Sequence, residues 1–280
     1  MSMNLRCAGK TLDLSRPVVM GVLNVTPDSF SDGGRFLAVE SAVAHGLRLI
    51  GEGAAILDIG GESTRPGAAP VPPDEEIRRV LPVVERIHEA APDVIISVDT
   101  SKPEVIREAA AAGAGLLNDV RAFQEPSALE AAAASGCALC LMHMQGDPRT
   151  MQRAPSYVDV VKEVKAFLAD RAQACRAVGV APERIAIDPG FGFGKTLEHN
   201  LELLRHLREL VSGEWPVLVG LSRKSIVGTL TGRAAGERLH GSVALAVIAA
   251  MSGARVIRAH DVAATVDALK VVAAVAVEGS

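Results

Sequence analysis

The side chains best suited to chemistry in this sequence directly follow short apolar runs. Asp99, Asn118 and Asp188 each end such a run, and together they supply two carboxylates and one amide. A carboxylate accepts two parallel hydrogen bonds, so these groups suit a flat heterocycle that presents adjacent N–H donors. Aspartate and asparagine also cap helices, which is the structural alternative for each residue alone. Three such residues at the ends of separate runs favour a common binding site.

A second set of residues at the run ends consists of cations and one hydroxyl. The set is Arg65, Ser222, Arg223, Lys224, Arg258 and His260. Since the chain carries a net charge of −4, a local group of cations indicates an anion site. Arg258 and His260 lie two apart on a predicted strand, so their side chains share a face, and a phosphate or diphosphate suits such a pair. The alternative is a salt bridge to a neighbouring carboxylate.

Eight apolar runs must position these side chains. They span residues 18–23, 54–59, 94–98, 116–117, 138–142, 185–187, 217–221 and 256–257. Short apolar runs bounded by turn signals predict strands that are buried on both faces, as in a parallel sheet. Helical patterns fill the gaps, at residues 39–52, 74–90, 127–135, 157–178, 196–210, 237–251 and 262–275 and in the segment that begins at Pro103.

The repeated order of strand and helix predicts an α/β fold, a single (β/α)₈ TIM barrel whose strand ends converge on one mouth. A doubly wound sheet is the alternative, but no Gly-x-Gly-x-x-Gly motif follows the first run, which weakens a dinucleotide-binding version. Polar–apolar alternation between Leu5 and Leu14 predicts a short N-terminal β-hairpin that closes the other end of the barrel. The 280 residues fit one domain over residues 1–280, since such a barrel needs roughly 250 residues.

Composition limits the classes of partner. The net charge of −4 is too small to indicate nucleic-acid binding, and no basic block occurs. The apolar stretches are shorter than the roughly 20 residues that span a bilayer, and no signal peptide is evident. We therefore expect no nucleic-acid or membrane partner. Four cysteines without framework spacing predict a reducing, cytoplasmic location.

Two motif-like segments are better explained by structure than by chemistry. Cys137 and Cys140 match C-x-x-C, but residues three apart on a strand point to opposite faces, so they are expected to be buried and separate. Residues 189–196 resemble a phosphate-binding loop, but Pro189 stands where its first glycine is required. The glycines of that segment are interpreted as positions where the chain passes close to a ligand.

Six further stretches occur in order along nearly the whole chain. They are residues 21–34 (GVLNVTPDSFSDGG), 58–67 (DIGGESTRPG), 141–146 (LMHMQG), 188–195 (DPGFGFGK), 220–225 (GLSRKS) and 258–260 (RAH). Together they resemble the signature stretches of the dihydropteroate synthase family, a group of pterin-binding TIM barrels. Six such stretches in the same order make the resemblance highly specific.

The resemblance implies a transferase of folate biosynthesis. Its substrates would be 6-hydroxymethyl-7,8-dihydropterin diphosphate and para-aminobenzoate, and its products 7,8-dihydropteroate and diphosphate. Mg²⁺ would be the cofactor, a homodimer the expected assembly, and sulfonamides, which mimic para-aminobenzoate, the expected inhibitors. The loops at residues 24–37 and 60–73 are long, and long loops of this kind are usually functional.

The resemblance also assigns residues. The pterin would be held by Asp99, Asn118, Met142, Asp188 and Lys224. The diphosphate would be held by Asn24, Arg65, Arg258 and His260, with Asn24 also binding Mg²⁺. The para-aminobenzoate pocket would be shaped by Phe30, Thr64, Arg65, Pro66, Phe193, Ser222 and Lys224. The chemical step would depend on Asp99, Asp188, Lys224, Arg258 and His260.

Two other functions are compatible with part of this pattern. A pterin-binding methyltransferase would keep the aspartates and the asparagine but would not need the cations at Lys224, Arg258 and His260. A catalytically silent paralogue would be expected to lose loop residues, yet Asn24, Thr64 and Arg65 are all present. The dihydropteroate synthase reaction is therefore the prediction, by an SN1-like substitution in which carboxylates stabilise positive charge on the pterin.

Overall fold

Eight short parallel strands form the centre of the molecule. The computed structural model describes residues 3–25, 34–64 and 67–275. A two-stranded antiparallel hairpin comes first, and the larger sheet has the order β8-β7-β6-β5-β4-β3-β10-β9. The strands are β1 (Asn4–Cys7), β2 (Lys10–Asp13), β3 (Val18–Asn24), β4 (Ile56–Gly60), β5 (Ile95–Asp99), β6 (Leu116–Asp119), β7 (Ala138–Met142), β8 (Ile185–Asp188), β9 (Leu218–Gly220) and β10 (Val256–Ala259).

The large sheet closes on itself. Every neighbouring pair in it is parallel. Its two end strands meet at a parallel bridge between Ile187 and Val217, where the amide of Ile187 donates to the carbonyl oxygen of Pro216 at 3.0 Å. The predicted (β/α)₈ barrel is therefore confirmed.

Helices follow the strands and cover the outside of the barrel. They are α1 (Gly34–Gly51), α2 (Pro73–Ala90), α3 (Pro103–Ala111), α4 (Ala128–Ala134), α5 (Val160–Ala177), α6 (Leu197–Arg205), α7 (Leu207–Val211), α8 (Ser225–Thr231), α9 (Leu239–Met251) and α10 (Val262–Val275). None of the helices in the described ranges is long and apolar enough to cross a membrane.

The inside of the barrel has two layers of different polarity. The layer toward the strand N-termini is apolar, and the hairpin contributes Leu5, Cys7 and Leu14 to the same buried cluster. This contact confirms that the hairpin closes the N-terminal end. The layer toward the strand C-termini is polar. Because side chains alternate along a strand, Asp58 on β4 and Asn118 on β6 share the interior face with the apolar residues two positions earlier.

The structure corrects two helix predictions. The segment predicted as one helix over residues 196–210 consists of α6 and α7, separated at His206. Leu203, Leu207 and Leu210 are buried on one stripe across the break, so periodicity alone could not reveal it. The short helix α8 was not predicted, because Ile226 and Val227 are its buried residues and offer no repeating stripe.

The cysteines behave as predicted. Cys140 belongs to the cluster inside the barrel, whereas Cys137 belongs to the cluster between the sheet and the helices. Both are free, as are Cys7 and Cys175.

Candidate active site

The polar layer at the barrel mouth is built by alternate positions of five strands. It consists of Asp58, Asp99, Asn118, Asp188 and Arg258. Asp58, Asn118 and Asp188 are each at most 5% exposed, so these groups are largely shielded from bulk water. Buried polar groups must find partners in the protein or in a ligand. The structure therefore brings together the carboxylates and the amide that the sequence predicted.

Asp58 contacts side chains from three other strands of this layer. Its carboxylate accepts hydrogen bonds from the Ser97 hydroxyl at 2.6 Å, from Asn118 Nδ2 at 3.3 Å and from Arg258 Nε at 2.6 Å. Arg258 Nη2 also reaches Asp99 Oδ2 at 3.4 Å. Asp58 is not among the predicted site residues, because it lies within an apolar run rather than after one. A charged residue inside a predicted buried strand was itself a signal, because such residues are rarely buried without a partner.

The two other aspartates have raised pKa values. Burial, and then the negative charge of Asp58, raise the pKa of Asp99 well above its ordinary range, against the opposing effect of the Arg258 cation. Burial also raises the pKa of Asp188, although Lys224 and the amide of Gly190, which donates at 2.7 Å, oppose this shift. These carboxyl groups therefore gain from any ligand that brings N–H donors or positive charge.

Asn118 leaves an acceptor available. Its Oδ1 atom is buried and has no hydrogen-bond partner among the described residues. An unsatisfied buried acceptor is costly unless a ligand supplies a donor. With the neighbouring carboxylates, this atom suits a ring that presents several N–H groups.

Lys224 lies against the loop that follows β8. Its Nζ atom donates to the carbonyl oxygen of Phe191 and lies 4.5 Å from the centre of the Phe193 ring. Burial lowers the pKa of Lys224 to about 8, against the raising effect of Asp188. Lys224 and the buried carboxyl group of Asp188 thus lie close enough that each opposes the pKa shift that burial gives the other.

The loop after β8 is fixed by Lys195. This buried lysine contacts His143 Nδ1 at 2.9 Å and donates to the carbonyl oxygens of Gly190 at 3.0 Å and Phe193 at 3.1 Å. A Cβ atom on Gly190 would lie 1.8 Å from the carbonyl oxygen of His143. The prediction that this glycine lets the chain approach a ligand is therefore revised, because its close neighbour is the loop after β7. Lys195 is a second residue whose role the sequence analysis missed.

Further predicted polar residues lie at the ends of β3, β9 and β10. Asn24 is exposed at the end of β3 and lines a cavity of about 580 Å³ together with His260 and Arg223. The Ser222 hydroxyl lies 3.1 Å from His260 Nδ1 and accepts from the His260 amide at 3.2 Å. His260 follows β10, which ends at Ala259, rather than lying within the strand as predicted.

Two arginines at the mouth are paired with carboxylates. Arg223 forms a bidentate pair with Asp261, and Arg258 pairs with Asp58 and Asp99. The salt-bridge alternative is thus the observed arrangement for both arginines. In the described ranges, no group of three or more His, Cys, Asp or Glu side chains could hold a metal ion by itself. Asn24 supplies an exposed amide oxygen, which suits Mg²⁺ held mainly by water and a bound diphosphate.

Other predicted residues lie nearby. Met142 ends β7 opposite Asp188, and Thr64 lines a cavity of about 390 Å³ with Asp99. Phe30, Arg65 and Pro66 lie outside the described residues.

The geometry agrees with comparisons to known proteins. Residues 20–260 match a family model described as pterin binding enzyme. The dihydropteroate synthase of Escherichia coli K12 is 56% identical over 272 residues, which cover 97% of this chain and 96% of that protein. A Xanthomonas albilineans dihydropteroate synthase solved with 4-aminobenzoic acid has a TM-score of 0.94 and 55% identity, and the match covers 100% of both chains. A Yersinia pestis dihydropteroate synthase in a sulfonamide drug complex has a TM-score of 0.93 and 55% identity, covering 98% of this chain and 99% of that one.

The barrel with its polar mouth is thus that of a pterin-binding enzyme. Within this class the chain belongs to the dihydropteroate synthase family, whose members are transferases of folate biosynthesis.

Proposed function

We propose that this chain condenses 6-hydroxymethyl-7,8-dihydropterin diphosphate with 4-aminobenzoate to give 7,8-dihydropteroate and diphosphate. The proposal rests on the buried polar layer at the barrel mouth. Asp99, Asn118 and Asp188 lie in this layer, and the cations Lys224 and Arg258 lie beside them. This layer supplies acceptors for the ring of a pterin and positive charge for a departing diphosphate.

The pterin is proposed to bind in the interior layer. Its N–H groups meet the carboxylates of Asp99 and Asp188 and the unsatisfied Oδ1 atom of Asn118. Carboxylates that accept two parallel N–H bonds give both affinity and orientation. Met142, which is buried at the end of β7, packs against the ring.

The diphosphate is proposed to lie on the side of Asn24, Arg258 and His260, with Arg65 also assigned to it. Mg²⁺ would be held by the diphosphate oxygens and Asn24, and when bound it would neutralise charge on the leaving group. Arg258 would keep the bond from its Nε atom to Asp58 and exchange the longer contact of its Nη2 atom with Asp99 for one with the diphosphate.

The chemical step is proposed to be an SN1-like substitution. The bond between the methylene carbon and the diphosphate oxygen breaks, and its electron pair leaves with the diphosphate. Positive charge then spreads into the electron-rich dihydropterin, where the Asp99 and Asp188 carboxylates stabilise it. The lone pair of the neutral aromatic amine forms the new C–N bond, and the amine gives up one proton to water. Since the amine is already uncharged at neutral pH, the site requires no strong general base.

The second substrate is proposed to bind after the first. Its pocket would be shaped by Thr64, Phe193, Ser222 and Lys224, with Phe30, Arg65 and Pro66 from the long loops. A Xanthomonas relative was solved with 4-aminobenzoic acid, which supports this compound as the second substrate. The sulfonamide complex of the Yersinia relative supports sulfonamides as inhibitors here.

Calorimetric titration with 4-aminobenzoate tests the proposed order. Binding should be clearly tighter when diphosphate and Mg²⁺ are present than when both are absent, because the diphosphate completes the second pocket. Equal affinity in the two titrations would contradict ordered binding. A matched titration with diphosphate but without Mg²⁺ separates the metal's contribution from that of the anion.

We also propose a cytoplasmic homodimer. Helices α9 and α10 pack against each other, and each carries exposed apolar side chains. They are Ile248 and Met251 on α9, and Val271 and Val275 on α10. Helix α9 contains no Asp, Glu, Lys or Arg, which favours a second copy of this apolar face as its partner. Four free buried cysteines support a reducing compartment.

A further inference from the structure

A cluster of one lysine and two glutamates lies beside the catalytic mouth. The Lys102 cluster consists of Lys102, Glu62 and Glu76, in which the lysine ammonium contacts both carboxylates. The three residues come from three different segments: Glu62 from the loop after β4, Glu76 from α2, and Lys102 from the loop after β5. The cluster therefore fixes two mouth loops against one helix.

Glu62 also connects the two ends of its own loop. While its Oε2 atom meets Lys102, its Oε1 atom accepts a hydrogen bond from the amide of Val71 at 3.2 Å. The carbonyl oxygen of Gly61 accepts from Arg79 Nη1 at 2.9 Å. A Cβ atom on Gly61 would lie 2.7 Å from Val80 Cγ2, so the start of the loop packs tightly on α2.

The charge balance makes Lys102 the central member. Glu76 is fully buried, and its burial raises the pKa of its carboxyl group, against the opposing effect of the Lys102 ammonium. Removing the cation from a buried ionic group leaves uncompensated charge, which is far more disruptive than losing an exposed pair. Loss of the lysine should therefore loosen the loop that Glu62 holds.

The loop that is held in this way carries Thr64. Thr64, Glu62, Lys102 and Asp99 line the same cavity of about 390 Å³. Lys102 follows Asp99 by three residues in the chain, so it connects the loop bearing Thr64 to the strand end that bears Asp99. The cluster thus sets the distance between a residue assigned to the 4-aminobenzoate pocket and one assigned to the pterin pocket.

We propose that Lys102 is a positioning residue that fixes the loop after β4 for the second substrate and thereby sets the affinity for 4-aminobenzoate. This inference rests on the proposed function. It assigns Lys102 no contact with either substrate. It predicts a selective defect. Most residues assigned to the pterin ring lie on other strands and loops, as Asn118, Asp188 and Lys224 do. Asp99 has its own contact with Arg258 Nη2 at 3.4 Å.

The test compares Lys102→Met with wild type in steady-state kinetics and in direct binding. The KM for 4-aminobenzoate should rise about tenfold or more, which corresponds to the loss of one well-made interaction. The Kd for 6-hydroxymethyl-7,8-dihydropterin, which lacks the diphosphate assigned to Arg65 on the same loop, should stay within about twofold. Lys102→Arg should recover most of the wild-type KM, since it restores the cation. Arg78→Met removes an exposed cation of α2 that pairs with Glu75 and should leave both constants unchanged.

A second readout does not depend on turnover. Hydrogen exchange at the Val71 amide, measured without substrates, should be faster in Lys102→Met than in wild type or Arg78→Met. The double variant Lys102→Met with Glu76→Gln removes the buried charge together with the cation, so it keeps the test valid if the single variant folds poorly.

The outcomes separate this inference from the proposed function. A wild-type protein that forms no dihydropteroate overturns the function, while Val71 exchange still reports on the cluster. An unchanged KM for 4-aminobenzoate, an equal loss of affinity for the dihydropterin without diphosphate, or unchanged Val71 exchange in Lys102→Met would each overturn the positioning role.

Discussion

At the scale of single residues, position relative to a strand end determines what the sequence can reveal. Asp99, Asn118 and Asp188 end apolar runs, and the structure places all three at one mouth. Asp58 and Lys195 were not predicted as site residues because their roles depend on partners distant in sequence, namely Arg258 and His143. Residue type and local spacing do not encode such pairings.

Asp58→Asn tests whether the residue connecting the polar layer matters to ligand binding. The change keeps the shape but removes the charge that meets Arg258 Nε at 2.6 Å. Hydrogen bonds to charged groups contribute about 1.5–3 kcal/mol, so affinity for dihydropterin diphosphate should fall about tenfold or more in calorimetry. Asp267→Asn changes a carboxylate on α10 whose side chain is 79% exposed and should bind as wild type does. Equal affinity in all three proteins would refute the role of Asp58.

His143 should make the protein sensitive to acid. Burial, and then the nearby charge of Lys195, lower the pKa of His143 from 6.5 to about 3. Between these values the unfolded chain binds a proton that the folded chain excludes. This contribution to the free energy of unfolding is therefore fully present above pH 6.5 and is lost as the pH falls toward 3.

Urea unfolding at pH 5 and at pH 6.5 checks this prediction. His143→Gln should lose less stability than wild type over that interval, since each pH unit is worth up to about 1.4 kcal/mol for one proton. His240→Gln, at an exposed position of α9, serves as the control and should follow wild type. A wild-type slope in His143→Gln would show that the histidine does not titrate in this way.

At the scale of elements, the periodicity of the sequence predicted the strands better than the connections. The eight barrel strands and helix α10 fall where the apolar patterns placed them. Helix α8 and the break at His206 were not predicted. Both depend on packing against neighbouring helices. The local sequence pattern holds no information about those contacts.

Gly190→Ala tests the close approach between the loops after β7 and β8. Gly190 has a φ of 67°, and a Cβ atom there would lie 1.8 Å from a backbone oxygen. Gly179 has a φ of 92° but has no atom within 4 Å of the same position. Gly179→Ala should cost about 1–2 kcal/mol for the left-handed backbone alone, and Gly190→Ala about 1–3 kcal/mol more for the clash. Urea unfolding that gives equal losses would contradict the observed packing of the two loops.

At the scale of the whole molecule, one end of the barrel is packed with apolar side chains that stabilise the fold, and the other end carries the polar groups of the candidate site. The hairpin and the apolar layer fill one end, while polar side chains occupy the other. Fold class and the composition of the mouth were predictable because both follow from the alternation of strands and helices. The pairing of charges within the mouth was not, because it requires the closed barrel.

Met251→Lys tests the proposed homodimer. Met251 is 61% exposed on α9, and a charge within the proposed apolar interface should shift the protein to monomers in sedimentation velocity experiments. Val178→Lys changes an apolar residue that is 43% exposed at the end of α5 and should leave the dimer intact. A wild-type protein that sediments as a monomer, or a Met251→Lys variant that remains dimeric, would contradict the proposed interface.

The most direct measurement is diphosphate release by purified protein supplied with dihydropterin diphosphate and Mg²⁺, with and without 4-aminobenzoate, while dihydropteroate is followed in parallel. We expect one dihydropteroate for each diphosphate released, and formation of dihydropteroate only when both substrates are present. Tight binding of the dihydropterin diphosphate without any dihydropteroate would contradict it, and would point instead to a silent paralogue or a methyl-transfer relative.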